Sequence, residues 1–296
     1  MPKSISKIPG GLSVRAELKL ILENRTDGAS GVEDAAFDLL RSLLDNSRYQ
    51  RDKQILYVIK CLRGRFPAMA NVRNLLDFVE TQILRADPGN ARRLLESYRS
   101  KIIESRKITV AATAGKIAKY RSIFTLSNSS VIRNSIIAAK RSGWTGEVRI
   151  VESRPGNEGA ALAADLSGAG VDVTLAVDAA MPELVAMSKA VFFGADAVTR
   201  GYFVNKTGTG MAIDCALRYD KPVFVAADRS KFIASRKYRF IPDKNPSEEI
   251  SSSGNRRLKI INSYFEKIIP KGRVRYICGG RLFDPSRIKN ILKERF

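Results

Sequence analysis

Apolar residues recur with helical spacing through the first hundred or so positions, then give way to short unbroken apolar runs. In GVEDAAFDLLRSLLDN, Val32, Ala35, Ala36, Leu39, Leu40, Leu43 and Leu44 fall at i, i+3, i+4 and i+7, which draws one stripe along a helix. Ser30, with Glu33 and Asp34 just beyond, reads as its start. The same period continues in DKQILYVIKCLRGRF and NVRNLLDFVETQILRA, interrupted at Gly64 and Pro67. A further stretch, ARRLLESYRSKIIESRK, is basic and amphipathic and leads into a second region near residue 106.

From there the pattern alternates. ITVAATA, SIFTLSN, EVRIVES, DVTLAVD, AVFFGAD and KPVFVAAD are rich in Val, Ile, Phe and Thr and lack polar alternation. Segments of helical spacing separate them: SSVIRNSIIAAKRSG, GNEGAALAADLSGAG, PELVAMSK and TGMAIDCALRYD. Apolar strands each followed by a helix predict an α/β fold, a Rossmann-like, mainly parallel sheet covered on both faces. Ligands of such sheets bind beyond the carboxyl ends of the strands, so the candidate residues are those just after each run. The polar stretch 243–257 is read as a mobile surface loop.

Composition narrows the chemistry. A 44% hydrophobic, 27% charged chain of 296 residues is that of a globular protein. Apolar runs stay short of the roughly 18 residues that span a bilayer, and the N-terminus lacks a signal-type apolar segment, so a cytoplasmic location is expected. Histidine is absent, which removes Ser-His-Asp and Cys-His catalysis and histidine-ligated metals together. Cys61, Cys215 and Cys278 are far apart and form neither a disulfide framework nor a usual zinc spacing. The net charge of +21 points to nucleic-acid, ribosomal or acidic-protein partners, or to phosphorylated ligands; a solvated basic surface is the equal alternative.

Read in order, the strand ends offer several candidates. Ser127-Asn128-Ser129-Ser130 follow SIFTL and lead into a helix, where they serve as an anion seat or as an ordinary cap. Arg154, in the turn after EVRIVES, either faces an oxyanion or pairs with Glu152. Asp178 reads as a cap for the following helix. Asp196 places a carboxylate after AVFFGA, and Asn205-Lys206 precede Thr207-Gly208-Thr209-Gly210, which opens a helix. A cation, amide donors and a helix dipole together would make a phosphate cradle of non-Walker type. Gly168-Ala169-Gly170 ends a helix instead of opening one, so it implies no NAD site, and no cofactor is implied elsewhere. Cys215 lies in an apolar helical pattern and reads as core.

The segments FTLSNSS, VESRPGNEG, VDVTLAVDAA, FFGADAV, VNKTGT, KPVFVAADRSKF and NSYFEKIIP, in this order and spacing, resemble a known family. It unites the α, β and δ subunits of initiation factor 2B with methylthioribose-1-phosphate isomerase and archaeal ribose-1,5-bisphosphate isomerase. The resemblance implies an N-terminal helical domain (1–105), a Rossmann-like C-terminal domain (106–296) and dimers or larger oligomers. The isomerases use a cysteine and an aspartate for proton transfer in an aldose–ketose exchange. Asp196 fills the aspartate position, but Ser127 stands at the cysteine position, and a hydroxyl is a far weaker acid than a thiol.

Ligand positions implied by the resemblance are also mixed. Asn205, Lys206 and Arg154 match phosphate-contacting residues. The isomerase Arg-Gly-Ala becomes Asp27-Gly28-Ala29, an isomerase glutamine becomes Glu158, and a helical-domain arginine falls at Phe66 beside Arg65. Two of these changes place a carboxylate where a phosphate would want a donor. Three readings follow. In the first, a factor-2B-like regulatory or protein-binding chain keeps a phosphosugar pocket and contacts initiation factor 2 or related subunits. The second is an isomerase of ribose-1,5-bisphosphate or methylthioribose-1-phosphate type substrates, with Asp196 as acid/base and Ser127 in support. The third, an RNA-binding accessory protein, rests on charge alone and ranks last.

Overall fold

The computed structural model describes residues 13–24, 28–45, 48–242, 245–255 and 257–293. Five helices come first: α1 (Val14–Glu23), α2 (Ala29–Leu43), α3 (Arg48–Arg65), α4 (Ala70–Phe78) and α5 (Pro88–Ile117). The stripe on α2 buries Val32, Leu39, Leu40 and Leu43 against Ile55 and Leu62 of α3 and Leu75 of α4. Each such side chain contributes about 1.5–3 kcal/mol relative to an exposed one. Helix α2 begins one residue before the expected Ser30, with Gly28 as a cap that has no side-chain bond. Ser30 instead accepts from the Ser130 hydroxyl at 3.1 Å, which ties this helix to the sheet region.

ITVAATA (108–114) is helix and not strand. Helix α5 starts with Asp87 accepting from Asn90 N–H and Pro88 in the first turn, and runs unbroken through residue 117. Its β-branched residues favour strands locally, but Thr109, Thr113 and Ile117 recur every four residues and face the core. The hydroxyls of Thr109 and Thr113 donate to carbonyls four residues back, each at 2.7 Å, so the helix absorbs them. Periodicity over the whole run overrides the local preference.

Seven strands form the main sheet: β1 (Ser122–Leu126), β2 (Glu147–Val151), β3 (Asp172–Ala176), β4 (Ala190–Phe193), β7 (Val223–Ala226), β9 (Val274–Cys278) and β10 (Arg281–Phe283). Their order is β10-β9-β7-β4-β1-β2-β3, parallel except for the β10 edge. A three-stranded antiparallel sheet, β5 (Ala197–Val198), β6 (Phe203–Lys206) and β8 (Phe265–Ile268), lies outside it.

Alternate residues of the buried strands face opposite cores, as strand geometry requires. Ile123, Ile150, Phe192 and Phe224 pack with α5, α6 (Ser130–Arg141) and α7 (Glu158–Gly168). Phe124, Val151, Phe193 and Val225 pack with α8 (Met181–Met187), α9 (Thr209–Arg218) and α10 (Ile288–Ile291). Gly170, just past α7, takes a left-handed φ of 77°, the expected helix stop, and Cys215 packs against the second core. In the segment read as a loop, Ser247–Glu249 form one 3-10 turn, while Asp243, Lys244 and Arg256 lie outside the described residues. That turn is tied down: Asn262 Nδ2 donates to Pro246 O at 2.7 Å and to Glu249 Oε2 at 2.8 Å. Among the described residues no helix is long and apolar enough to cross a membrane.

Candidate functional site

Chain order reverses beside β1: the chain proceeds outward through β2 and β3, then returns to place β4 on the other side of β1. A doubly wound sheet opens a crevice at that reversal. Here the crevice is a cavity of about 140 Å³. Ser127, one residue past β1, and Asp196, three past β4, both line it. Asn205 and Lys206 reach it from the end of β6, Gly28 and Ala29 from the start of α2, and Glu158 from the start of α7.

A brace across three strand ends shapes the floor. Ser127 has a left-handed φ of 60°, and its N–H donates to Ser153 Oγ at 2.8 Å. Ser153, also left-handed at 62°, and Arg154 donate their N–H groups to the Asp178 carboxylate at 2.9 and 2.7 Å. Asp178 is therefore no helix cap; its two oxygens are taken by the β2–α7 turn. Two glycines permit the close packing. A Cβ on Gly159 would lie 1.9 Å from Val151 O, and one on Gly194 would lie 2.3 Å from Ser129 Oγ. Asp196 is fixed through its backbone, since its carbonyl accepts from Ala70 N–H at 2.9 Å at the start of α4.

Not every expected residue arrives. Arg154 is exposed, lies off the cavity and does not pair with Glu152; its Nη2 reaches only Glu249 O, at 3.5 Å. The Gly/Thr loop also stays outside. Gly208 adopts φ 101° as the α9 cap, and Gly210 N–H donates to Glu266 Oε1 at 2.8 Å, so a protein carboxylate already occupies that helix end. Thr209 receives the Asn205 amide at 3.0 Å and donates to Lys206 O at 2.6 Å, which aims the Asn205-Lys206 pair but leaves the loop no ligand role. Asp27 lies outside the described residues.

Lys206 is 3% exposed, and its ammonium donates to both oxygens of Glu158, at 2.8 and 2.9 Å. It also stands 4.8 Å from the Tyr264 ring centroid. Phe66 and Arg65 line the cavity too, with Arg65 Nε donating to Leu22 O at 3.0 Å. No cysteine is among the lining residues described.

The residue that strand-end reasoning passed over is Lys231, which lies in the turn after β7 and lines the cavity at 5% exposure. Behind it is a buried acidic cluster. Glu33 and Asp228 are 3% and 0% exposed, and one hydroxyl stands between them: Ser230 Oγ is 2.5 Å from Asp228 Oδ1 and 3.4 Å from Glu33 Oε2. Arg106 Nη2 donates to Glu33 Oε2 at 3.0 Å, and its Nε lies 3.6 Å from Asp228 Oδ2. Glu33 Oε1, Asp228 Oδ2 and Asn71 Oδ1 are buried and accept no hydrogen bond. Acceptors outnumber donors. Burial, reinforced by Asp228, pushes the Glu33 carboxyl up to about 7, against the pull of Lys231, Arg106 and Asn71.

Comparison with known proteins agrees with this architecture. Residues 25–271 match the model of the family described as "Initiation factor 2 subunit family". A Pyrococcus furiosus protein named translation initiation factor eIF-2B subunit 2-like is 30% identical over 198 residues, 67% of this chain and 70% of that one. The ribose 1,5-bisphosphate isomerase of Archaeoglobus fulgidus is 26% identical over 217 residues, 69% of this chain and 67% of that one. The solved structure of the Pyrococcus horikoshii OT3 translation initiation factor eIF-2B superposes with a TM-score of 0.80 at 23% identity, covering 95% of this chain and 99% of the other.

Proposed function

We propose that this chain, which belongs to the initiation factor 2 subunit family, is a factor-2B-like regulatory protein whose cavity binds a phosphorylated small molecule and whose surface engages a protein partner. The observation that carries the ligand half is buried Lys231, which lines the cavity without an ion pair among the described residues, beside the Asn205 amide and the Lys206 ammonium that Glu158 holds. Buried cations facing a crevice favour an anion, and a sheet crevice at a switch point is where nucleotide- and sugar-phosphate-sized ligands sit.

Ser127 supports a binding role over a catalytic one. Moving a proton between adjacent carbons needs an acid and a base of suitable strength. The cavity offers Asp196, but the residue that follows β1 in the same lining, Ser127, brings a hydroxyl, with neither histidine in the sequence nor cysteine in the described lining to take the second role. The protein half of the reading rests on the relatives named as initiation factor 2B subunits. An oligomer, with itself or with related subunits, belongs to the same proposal.

The second reading, an aldose–ketose isomerase, draws on Asp196 lining the cavity with Asn205 and Lys206 and on the relative named ribose 1,5-bisphosphate isomerase. Purified protein assayed with ribose-1,5-bisphosphate and methylthioribose-1-phosphate separates the two. The expected result is no turnover, with initiation factor 2 subunits recovered in a pull-down. Turnover abolished by Asp196→Asn overturns the regulatory reading.

A further inference from the structure

We infer that the Glu158–Lys206 ion pair sets ligand specificity, admitting a sugar monophosphate and turning away a bisphosphate; this rests on the reading that the cavity holds a phosphorylated ligand. An ammonium has three N–H donors. Lys206 gives two directions to the Glu158 oxygens, at 2.8 and 2.9 Å, and turns toward the Tyr264 ring, 4.8 Å from its centroid. A phosphate arriving there must displace a carboxylate or lie beside it, and like charges at such range repel strongly.

Glu158 is held where it stands. It opens α7, where a helix N-terminus favours a carboxylate, behind Asn157 in a left-handed conformation. The preceding turn abuts it so closely that a Cβ on Gly156 would lie 2.9 Å from Glu158 Cδ. The pair is thus a neutral, polar wall carrying acceptors on one side and a donor on the other, which suits the hydroxyls of an unphosphorylated sugar end.

The opposite wall differs. Lys231 lines the cavity at 5% exposure and makes no ion pair within 4.0 Å among the described residues. Among the described residues the charged lining comprises three cations (Arg65, Lys206, Lys231) and two anions (Glu158, Asp196), a balance of one positive charge that suits a single phosphate better than two. The ligand class that fits is a sugar monophosphate, with its phosphate at Lys231 and its free hydroxyls at Glu158 and Lys206.

Calorimetric titration of the full chain with ribose 5-phosphate and with ribose 1,5-bisphosphate tests this. For the wild-type protein the bisphosphate is expected to bind no tighter than the monophosphate; a preference for the bisphosphate of more than about threefold overturns the inference without any variant. In Glu158→Gln the freed ammonium is expected to raise the ratio of bisphosphate to monophosphate affinity by about tenfold or more. That gain is expected to vanish in the double variant Glu158→Gln, Lys206→Gln. An unchanged ratio in Glu158→Gln, or a gain that survives loss of Lys206, overturns the role of the pair while leaving the cavity reading intact. Failure of both ligands to bind any of these proteins removes the cavity reading and this inference with it.

Discussion

Replacing Glu33 by Gln is expected to remove a loss of stability that the wild type suffers between about pH 5.5 and pH 8. The carboxyl is buried, shares Ser230 with Asp228 and is pushed up to about 7 from an ordinary value of 4.5. A raised acid pKa means that the folded state favours the protonated form. This stabilisation is complete below the unfolded pKa and is lost as pH climbs through the folded one. Each unit is worth about 1.4 kcal/mol. From about pH 5.5 to pH 8 the folded wild type therefore loses roughly 2 kcal/mol on account of Glu33, as the unfolded chain is already ionised at the lower value. Glutamine mimics the protonated form: its oxygen accepts from Arg106, and its NH₂ takes the place of the unpartnered Glu33 Oε1, putting a donor into a cluster where Asp228 Oδ2 and Asn71 Oδ1 accept no hydrogen bond. Urea unfolding followed by fluorescence of Trp144, the single tryptophan, buried with Nε1 donating to Tyr120 O at 2.8 Å, reads both proteins at the two pH values. Other titrating groups cancel in the difference. The variant should gain about 2 kcal/mol on the wild type between pH 5.5 and 8. Parallel pH profiles refute the account, and so does a variant weaker by about 3–5 kcal/mol at pH 8, the signature of a broken buried pair.

Gly159→Ala should cost about 3 kcal/mol or more in the same unfolding assay, because its methyl meets a backbone carbonyl, which no rotamer change relieves. Gly168→Ala, at the end of the same helix with nothing within 4 Å, should instead be neutral or stabilise by up to about 1 kcal/mol. Lys231→Met should weaken ribose 5-phosphate binding by roughly 10- to 100-fold in calorimetry, the loss of one charge-assisted bond. The same variant removes a cation that draws Glu33 down, so its stability should fall more steeply toward high pH than that of the wild type.

The sheet was legible because its strands are apolar on both faces, and the rule that ligands lie past strand ends led to Ser127, Asp196, Asn205 and Lys206 together. Where the reading failed, a second structure had claimed the same residues. The Gly/Thr loop has the composition of an anion cradle, but Glu266, 56 residues further on, caps it from β8, a strand whose sequence shows little alternation. Asp178 looks like a cap and is a brace, because its partners lie on a neighbouring strand end. Arg154 sits at a strand end yet turns away, since its own amide is held by Asp178. The acidic cluster left a trace. Glu33 shares a helix face with Ala36 and Leu40, both buried, and a carboxylate on an apolar stripe is a buried charge in need of partners. Those partners, Arg106 and Asp228, come from far along the chain, and no local pattern announces them.

Ser127 and Ser153 adopt the same left-handed conformation but differ in what their side chains do, and the difference locates the ligand-facing residue. A non-glycine residue there costs about 1–2 kcal/mol. Ser153 offsets that cost within the protein, as its Oγ accepts from Ser127 N–H and donates to Val151 O at 3.2 Å. Ser127 contributes only its backbone: its hydroxyl forms no hydrogen bond among the described residues and opens into the cavity. Strain borne for a side chain that does nothing for the fold implies selection for what enters the cavity. Ser127→Gly should accordingly leave stability unchanged or raise it by up to about 1 kcal/mol, after the larger unfolded-state freedom of glycine is subtracted. It should also lower monophosphate affinity. Ser153→Gly strips the acceptor from the Ser127 amide and should destabilise by about 1–3 kcal/mol. Equal losses of stability in both variants would mean that the two serines are framework alike, and that the mouth of β1 is shaped for packing instead of for a ligand.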